Sequence, residues 1–111
     1  MDNCLLFGAR GHLSRTKIIP QLKKQNIPYV PISRSKKESL SHLEPEQNHV
    51  AYMSIPTGDV VSSIEPYAFD FLRIRPTIIL EKPHGYSHDN FLELCNYLDF
   101  FGHDYLFCDH Y

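Results

Sequence analysis

Tryptophan is absent from this chain, and its 111 residues include only five glycines and three cysteines. Cys4, Cys95 and Cys108 are far apart and odd in number. They lack the two-residue spacing of zinc or thioredoxin-like motifs, which argues against a disulfide framework and for a reduced, cytoplasmic setting. No apolar run approaches the roughly eighteen residues of a membrane span. The opening apolar stretch is interrupted too soon, by Gly8, Arg10 and His12, to be a signal segment. Excess charge of one sign is also missing: the net charge is −2 with histidines neutral. Any anion must therefore be held by a local cluster, and neither a membrane nor duplex nucleic acid is an expected partner. With 42% hydrophobic residues, residues 1–111 are expected to form one domain burying about two thirds of the surface that the unfolded chain exposes.

What is present is an alternation of short apolar runs with helix-spaced segments. The runs at Asn3–Phe7, Tyr29–Ser33, Val50–Ile55, Thr77–Leu80 and Tyr105–Cys108 predict strands. Helices are expected near Leu13–Lys24, Lys36–Leu43, Val60–Ile74 and His88–Phe101, with Leu22, Ile64, Leu72, Phe91, Leu94 and Leu98 facing inward. Strands alternating with helices imply a doubly wound α/β fold with a mainly parallel sheet of about five strands. Pro20 and Pro66 fall inside expected helices and predict kinks or splits. Pro31 removes a ladder donor and places the second strand at a sheet edge. The polar stretch 34–49 is too short for a helix, a third strand and another crossover, so one strand of the usual nucleotide-binding fold is expected to be missing. There is no internal repeat.

The first strand runs directly into Gly8-Ala9-Arg10-Gly11-His12-Leu13-Ser14-Arg15. Gly8 allows a sharp turn off the strand, Gly11 allows close approach of a diphosphate, and the amides opening the helix face the anion. Glycine pairs also serve tight turns that hold no ligand. In dinucleotide folds the end of the second strand reads the adenosine ribose, with an acid for a free 2′-hydroxyl and an arginine for a 2′-phosphate. Here that end is Ser33-Arg34-Ser35-Lys36-Lys37, with no acid before Glu38. This favours NADP over NAD and singles out Arg34, although the same residues suit a solvated helix start with Ser35 as N-cap.

Ile78-Ile79-Leu80-Glu81-Lys82-Pro83 ends a strand at the carboxyl edge, where a lysine can reach both cofactor and substrate; a polar strand end and a chain reversal is the plainer alternative. The last strand ends in Cys108-Asp109-His110-Tyr111, a carboxylate, imidazole and phenol suited to proton transfer and phosphate binding, or else a frayed terminus. His84 and His88 straddle a helix entry and do not read as a metal pair. Phe69, Phe71, Phe91, Phe100 and Phe101 read as core.

Taken in order, the block Gly8 to Pro20, then Ser33-Arg34-Ser35, Tyr52-Met53-Ser54-Ile55-Pro56, Glu81-Lys82-Pro83-His84-Gly85 and Asp109-His110-Tyr111, the chain resembles the glucose-6-phosphate dehydrogenase family. The resemblance covers nearly all of this sequence and only the Rossmann-like coenzyme-binding part of the family's longer fold. It implies that Gly8, Ala9, Arg10, Gly11, His12, Leu13, Ser14 and Arg15 hold the coenzyme diphosphate and that Arg34 holds the 2′-phosphate, with Ser33 also counted as coenzyme-binding. By the same resemblance Lys17 lies near the sugar, Lys82 touches sugar and coenzyme, and His110 and Tyr111 grip the sugar phosphate. Asp109 matches the carboxylate that orients a catalytic histidine. That histidine lies downstream of Asp-His-Tyr in the family, and the sequence stops at Tyr111. His12, Ser14, Thr16 and His84 stand where the family usually has aspartate, alanine, arginine and phenylalanine.

The resulting expectation is a truncated family member that binds NADP and turns over little by itself, because a general base contributes a factor of roughly 10² to 10⁴. Complete relatives oxidise glucose 6-phosphate to 6-phosphogluconolactone in carbohydrate metabolism, and glucose 6-phosphate is expected as a partner only when a second domain completes the site. Two other readings stay open. One is a fragment of a sugar or cyclitol dehydrogenase of the Glu-Lys-Pro type. The other is a non-catalytic remnant acting by association, as a homo-oligomer or with a full-length relative.

Overall fold

The computed structural model describes residues 2–33, 38–81 and 88–108. Five strands form one parallel sheet: β1 (Asp2–Phe7), β2 (Tyr29–Ile32), β3 (Asn48–Met53), β4 (Thr77–Glu81) and β5 (Tyr105–Cys108), in the order β2-β1-β3-β4-β5. The six-stranded dinucleotide fold has the order 3-2-1-4-5-6, and deleting its third strand leaves this arrangement. The fold is thus α/β and Rossmann-like, doubly wound and one strand short. Pro31 is exposed on edge strand β2, where its missing N–H costs no ladder bond.

Alternation along each strand divides the apolar side chains between two faces. Leu5 and Phe7 of β1, Ala51 and Met53 of β3, and Ile78 and Leu80 of β4 are buried in the larger core. That core is covered by α2 (Val60–Ile64), α3 (Ala68–Ile74) and α4 (His88–Phe100), through Val60, Ile64, Phe71, Ile74, Leu94 and Leu98. The opposite face buries Cys4 and Leu6 under the helix that follows β1, through Ile18, Ile19 and Leu22. Helices on both faces are what a parallel sheet needs, because both of its surfaces are apolar.

Both internal prolines shape their helices. The first helix spans 12–24, is π-helical over Ser14–Ile18 and becomes α1 (Ile19–Lys24). The Ile19 N–H donates to Ser14 O, five residues back, in the wide turn just before Pro20. In a regular helix the Pro20 ring would collide with the carbonyl four residues earlier, and the wider turn relieves that. At Pro66 the expected helix splits into α2 and α3, joined by the 3₁₀ turn Glu65–Tyr67.

Three expectations are corrected. The helix expected over Lys36–Leu43 is not helical in its described part, 38–43. Leu40 and Leu43, at 1% and 5% exposure, instead plug the larger core from an irregular loop. Arg73 on α3 holds the loop: Nη1 donates to Leu43 O at 2.6 Å, and Nη2 donates to Leu40 O and to Asp70 Oδ1, each at 3.0 Å. Further ties run from His49 Nε2 to Glu44 O at 2.7 Å and from the Glu38 N–H to Tyr67 Oη at 3.1 Å. Secondly, Leu72, expected inward, is 39% exposed, because α3 turns Phe71 and Ile74 to the core. Thirdly, Phe69 and Phe100 are 79% and 83% exposed rather than core. Only Phe71 of the aromatic set is fully buried, with its ring edge-on to those of Phe7 and His103.

Among the described residues no helix is long and apolar enough to cross a membrane.

Two stability measurements follow. Arg73→Ala removes charged donors from two loop carbonyls and should cost about 2 kcal/mol in urea unfolding at unchanged m-value. Asp70→Asn, which loses only a part-exposed ion pair, should cost under about 1 kcal/mol. Buried His103, whose Nδ1 has no hydrogen-bond partner, is held below its usual pKa of 6.5, first by burial and then by the nearby Arg75 charge. The unfolded chain therefore binds this proton more readily. The neutral ring's contribution is complete above about pH 6.5 and is lost as pH falls through the lower folded value. The unfolding free energy of wild type minus that of His103→Phe should fall between pH 8 and pH 5; a flat difference would contradict this.

Candidate functional site

Because all five strands run in one direction, the segments following their carboxyl ends gather at one edge of the sheet. The order also creates a switch point, since the chain leaves β1 toward β2 on one side while β3 lies on the other. Crevices at such points are where open α/β sheets place ligands. The turn after β1 lies there.

Gly8 has φ +80°, and a Cβ on it would collide with the Ser54 carbonyl oxygen and lie 2.9 Å from Ile55 Cγ2. The tail of β3 therefore closes over the end of β1, and Ser54 N donates to Phe7 O at 3.1 Å. On the other flank the amides of Gly8 and Ala9 both donate to Ile32 O of β2, at 3.0 and 3.3 Å. Gly8 is thus required by its backbone conformation and by the two neighbouring strands, and its own amide is consumed within the protein.

The turn closes through Gly11 N to Gly8 O at 2.9 Å, and the next helical bond is Arg15 N to Gly11 O at 3.1 Å. The amides of His12, Leu13 and Ser14 precede that bond and have no intrahelical acceptor by helix geometry. A Cβ on Gly11 would make a tight contact with Gly8 O, at 3.2 Å, and would meet no other described atom within 4 Å. Arg10, Gly11, His12 and Arg15 are exposed, which brings two guanidinium groups to the same short turn. Ser14 is completely buried with no partner for Oγ, and Ala9 is 7% exposed. Both side chains are packing elements in this conformation and are shielded from a ligand.

Ser33 follows β2 as a bridge residue of intermediate exposure, at the same edge. Lys17 is exposed on the first helix, within the π-helical turn. Arg34, Lys82, Asp109, His110 and Tyr111 lie outside the described residues, as do His84 and the expected cap Ser35; the strands that precede them all end at this edge.

A polar group that sequence reasoning missed lies on the first-helix face of the sheet. Tyr52 Oη and Cys108 Sγ share a hydrogen bond at 3.8 Å, and Glu81 is registered beside Cys108. Burial, then the Cys108 bond, then the Glu81 charge raise the Tyr52 pKa, so the phenol stays protonated. Burial likewise pushes the Cys4 thiol up to about 11, which leaves it a poor nucleophile at neutral pH. The alternation of Tyr52 with buried Ala51 and Met53 was a signal that it faces the other side. Its neighbours could be known only from strand order. Among the described residues no group of acidic, histidine and cysteine side chains is arranged to hold a metal.

No protein-family model matches the chain. No curated protein matches it either. Among solved structures it is similar to the crystal structure of CapF with the inhibitor 3-isopropenyl-tropolone, at 16% identity and a TM-score of 0.57. The match covers 95% of this chain and 30% of that one. The likeness is one of fold and supports the doubly wound α/β architecture.

The packing at Gly8 makes a direct prediction. Gly8→Ala should destabilise the protein by about 3 kcal/mol or more, since a left-handed backbone conformation and a collision with backbone add together. Gly11→Ala, with only one near atom, should cost under about 1 kcal/mol. Urea midpoints of the two variants check the contrast.

Proposed function

We propose that residues 1–111 form an NADP-binding domain of a glucose-6-phosphate dehydrogenase-like oxidoreductase. The observation that carries the reading is the turn from Gly8 to Leu13 at the switch point of a parallel sheet. Its His12 and Leu13 amides lack intrahelical acceptors, and Gly11, with no side chain, is exposed beside them. These donors suit a diphosphate. The exposed guanidinium groups of Arg10 and Arg15 add positive charge to a chain whose net charge is −2.

In this reading Arg34, directly after β2, takes the 2′-phosphate, and its bidentate fork is the reason an arginine serves there better than a point charge. Ser33 adds a hydroxyl beside it. Lys82, next in sequence after β4, would touch both coenzyme and substrate, as the resemblance implies. Bound NADP would supply a hydride acceptor; the protein's own part is to hold the diphosphate on backbone amides and to choose the phosphorylated ribose. Ser14 and Ala9 contribute by packing beneath the turn rather than by contact.

Oxidation of glucose 6-phosphate is proposed only for a chain that also carries a sugar-binding domain and a histidine base. There Lys17, His110 and Tyr111 would meet the sugar phosphate, and Asp109 would orient that base. These assignments rest on the resemblance of the motifs and their order in the sequence.

Titration of the 111-residue protein with NADPH, followed by nicotinamide fluorescence, tests the reading. Wild type should bind NADPH in preference to NADH, and Arg34→Ala should weaken NADPH by about tenfold or more while leaving NADH unchanged, as expected for loss of a charged bidentate contact. Equal affinity of the two proteins for NADPH would remove Arg34 from the site, and a preference for NADH would overturn the NADP assignment.

A further inference from the structure

The first helix covers only part of its face of the sheet. Beyond Cys4 and Leu6 that face continues across β3, β4 and β5 as the registered row Tyr52, Ile79 and Leu106, and Leu106 is 60% exposed. Between the flank of the helix and this row lies a groove of about 410 Å³. Its wall is Leu13, Lys17 and Gln21, spaced four residues apart along one side of the helix, and its floor includes Val50, Tyr52 and Ile79. It runs from Leu13, at the end of the diphosphate turn, along the strands toward Asn3 and Cys4, away from the carboxyl edge.

Among the described residues the lining has one charged residue, Lys17, which is exposed and has no ion-pair partner, and no acidic side chain. A lysine stem lies readily along apolar surface while its ammonium reaches the mouth. The volume falls within the range of small-molecule sites, about 300–1,000 Å³. The helix wall from Leu13 to Gln21 runs for about two turns, on the order of 10 Å. An uncharged apolar guest would leave the ammonium unanswered, and a sugar phosphate would leave the apolar floor uncovered.

We propose that this groove binds an amphipathic monoanion, a medium-length alkyl chain lying on Val50, Tyr52 and Ile79 with its carboxylate on Lys17. The Cys4 and Tyr52 side chains, both uncharged at neutral pH, add no repulsion to that anion.

Calorimetric titration of the coenzyme-free protein with sodium decanoate tests it, with 1-decanol and decyltrimethylammonium titrated in parallel. One decanoate should bind per chain, and the cationic analogue should bind at least about tenfold more weakly. Lys17→Glu, a surface change, should weaken decanoate by about tenfold while 1-decanol binds both proteins alike. Ile79→Trp should fill the floor and abolish both; Val50→Phe serves the same purpose if the tryptophan variant loses its urea transition. Decanoate affinity unchanged in Lys17→Glu, or equal affinity for the cation, overturns the proposal, as does absence of decanoate binding by folded wild type. A dimer in sedimentation that either floor variant dissociates would assign the groove to a second copy, and that outcome also overturns it.

Discussion

The structure turns on the meeting of Gly8 with the backbone at Ser54. Where β1 ends, the chain must leave in a direction that needs φ +80°, and the tail of β3 passes so close that no side chain fits between them. Glycine satisfies both demands; a Cβ here would strain the left-handed conformation and collide with the Ser54 carbonyl. The same turn ties β1 to β2, because two of its amides converge on Ile32 O. Three neighbouring strands are thus locked together at the end of the sheet where the helix begins. The geometry of the candidate anion site is set by this closure: it consumes the first two amides of the turn and leaves those that open the helix without an intrahelical acceptor.

In the described part of the connection between β2 and β3, residues 38–47, no strand forms, and packing covers the core instead. A loop connects β2 to β3 where a longer crossover would run, and a loop over a core has two needs, apolar cover for the sheet and acceptors satisfied along its backbone. Leu40 and Leu43 provide the cover. Arg73 provides two of the donors, fixed in place by Asp70 one helical turn earlier. A guanidinium suits this work because its rigid fork can serve two carbonyls and a carboxylate at once. The loop is irregular in conformation and yet anchored at both ends of its apolar stretch.

The two faces of the sheet are covered unequally. Among the described residues three helices and the plugged loop cover one face, whereas the other has one helix over β1 and an apolar row that runs on to an exposed Leu106. Parallel sheets are apolar on both surfaces, so an open stretch of this kind is unfavourable in water and gains free energy when something covers it. The polar atoms at its end, Tyr52 Oη and Cys108 Sγ, satisfy one another across the strands. The groove beside them has one cation at its mouth.

Much of the fold was legible in the residues themselves. Each strand lies within two residues of its expected bounds, and Tyr105–Cys108 coincides with them, because short apolar runs bounded by polar residues are a local signal. Pro31 fixed an edge, and Pro20 and Pro66 marked the π-helical turn and the split helix, since a missing N–H and a bulky ring act within a few residues. The glycine turn was legible as a turn. Its reason was not, because the Ser54 carbonyl that forbids a side chain lies 46 residues away in sequence. Leu72, Phe69 and Phe100 looked like core by composition and are exposed because the facing positions were taken by Phe71, Ile74 and Leu98. In the stretch 38–43, helical spacing gave way to the stronger demand of two leucines for the core and to the donors that Arg73 holds in place. By itself, then, the sequence determined the kinds of element, their order and the points where proline or glycine interrupts them, all consequences of local sterics and periodicity. Which side chains are buried, which amides of the turn are consumed within the protein and where the open groove lies were decided only by tertiary structure, because burial depends on a neighbour that residue spacing alone does not specify.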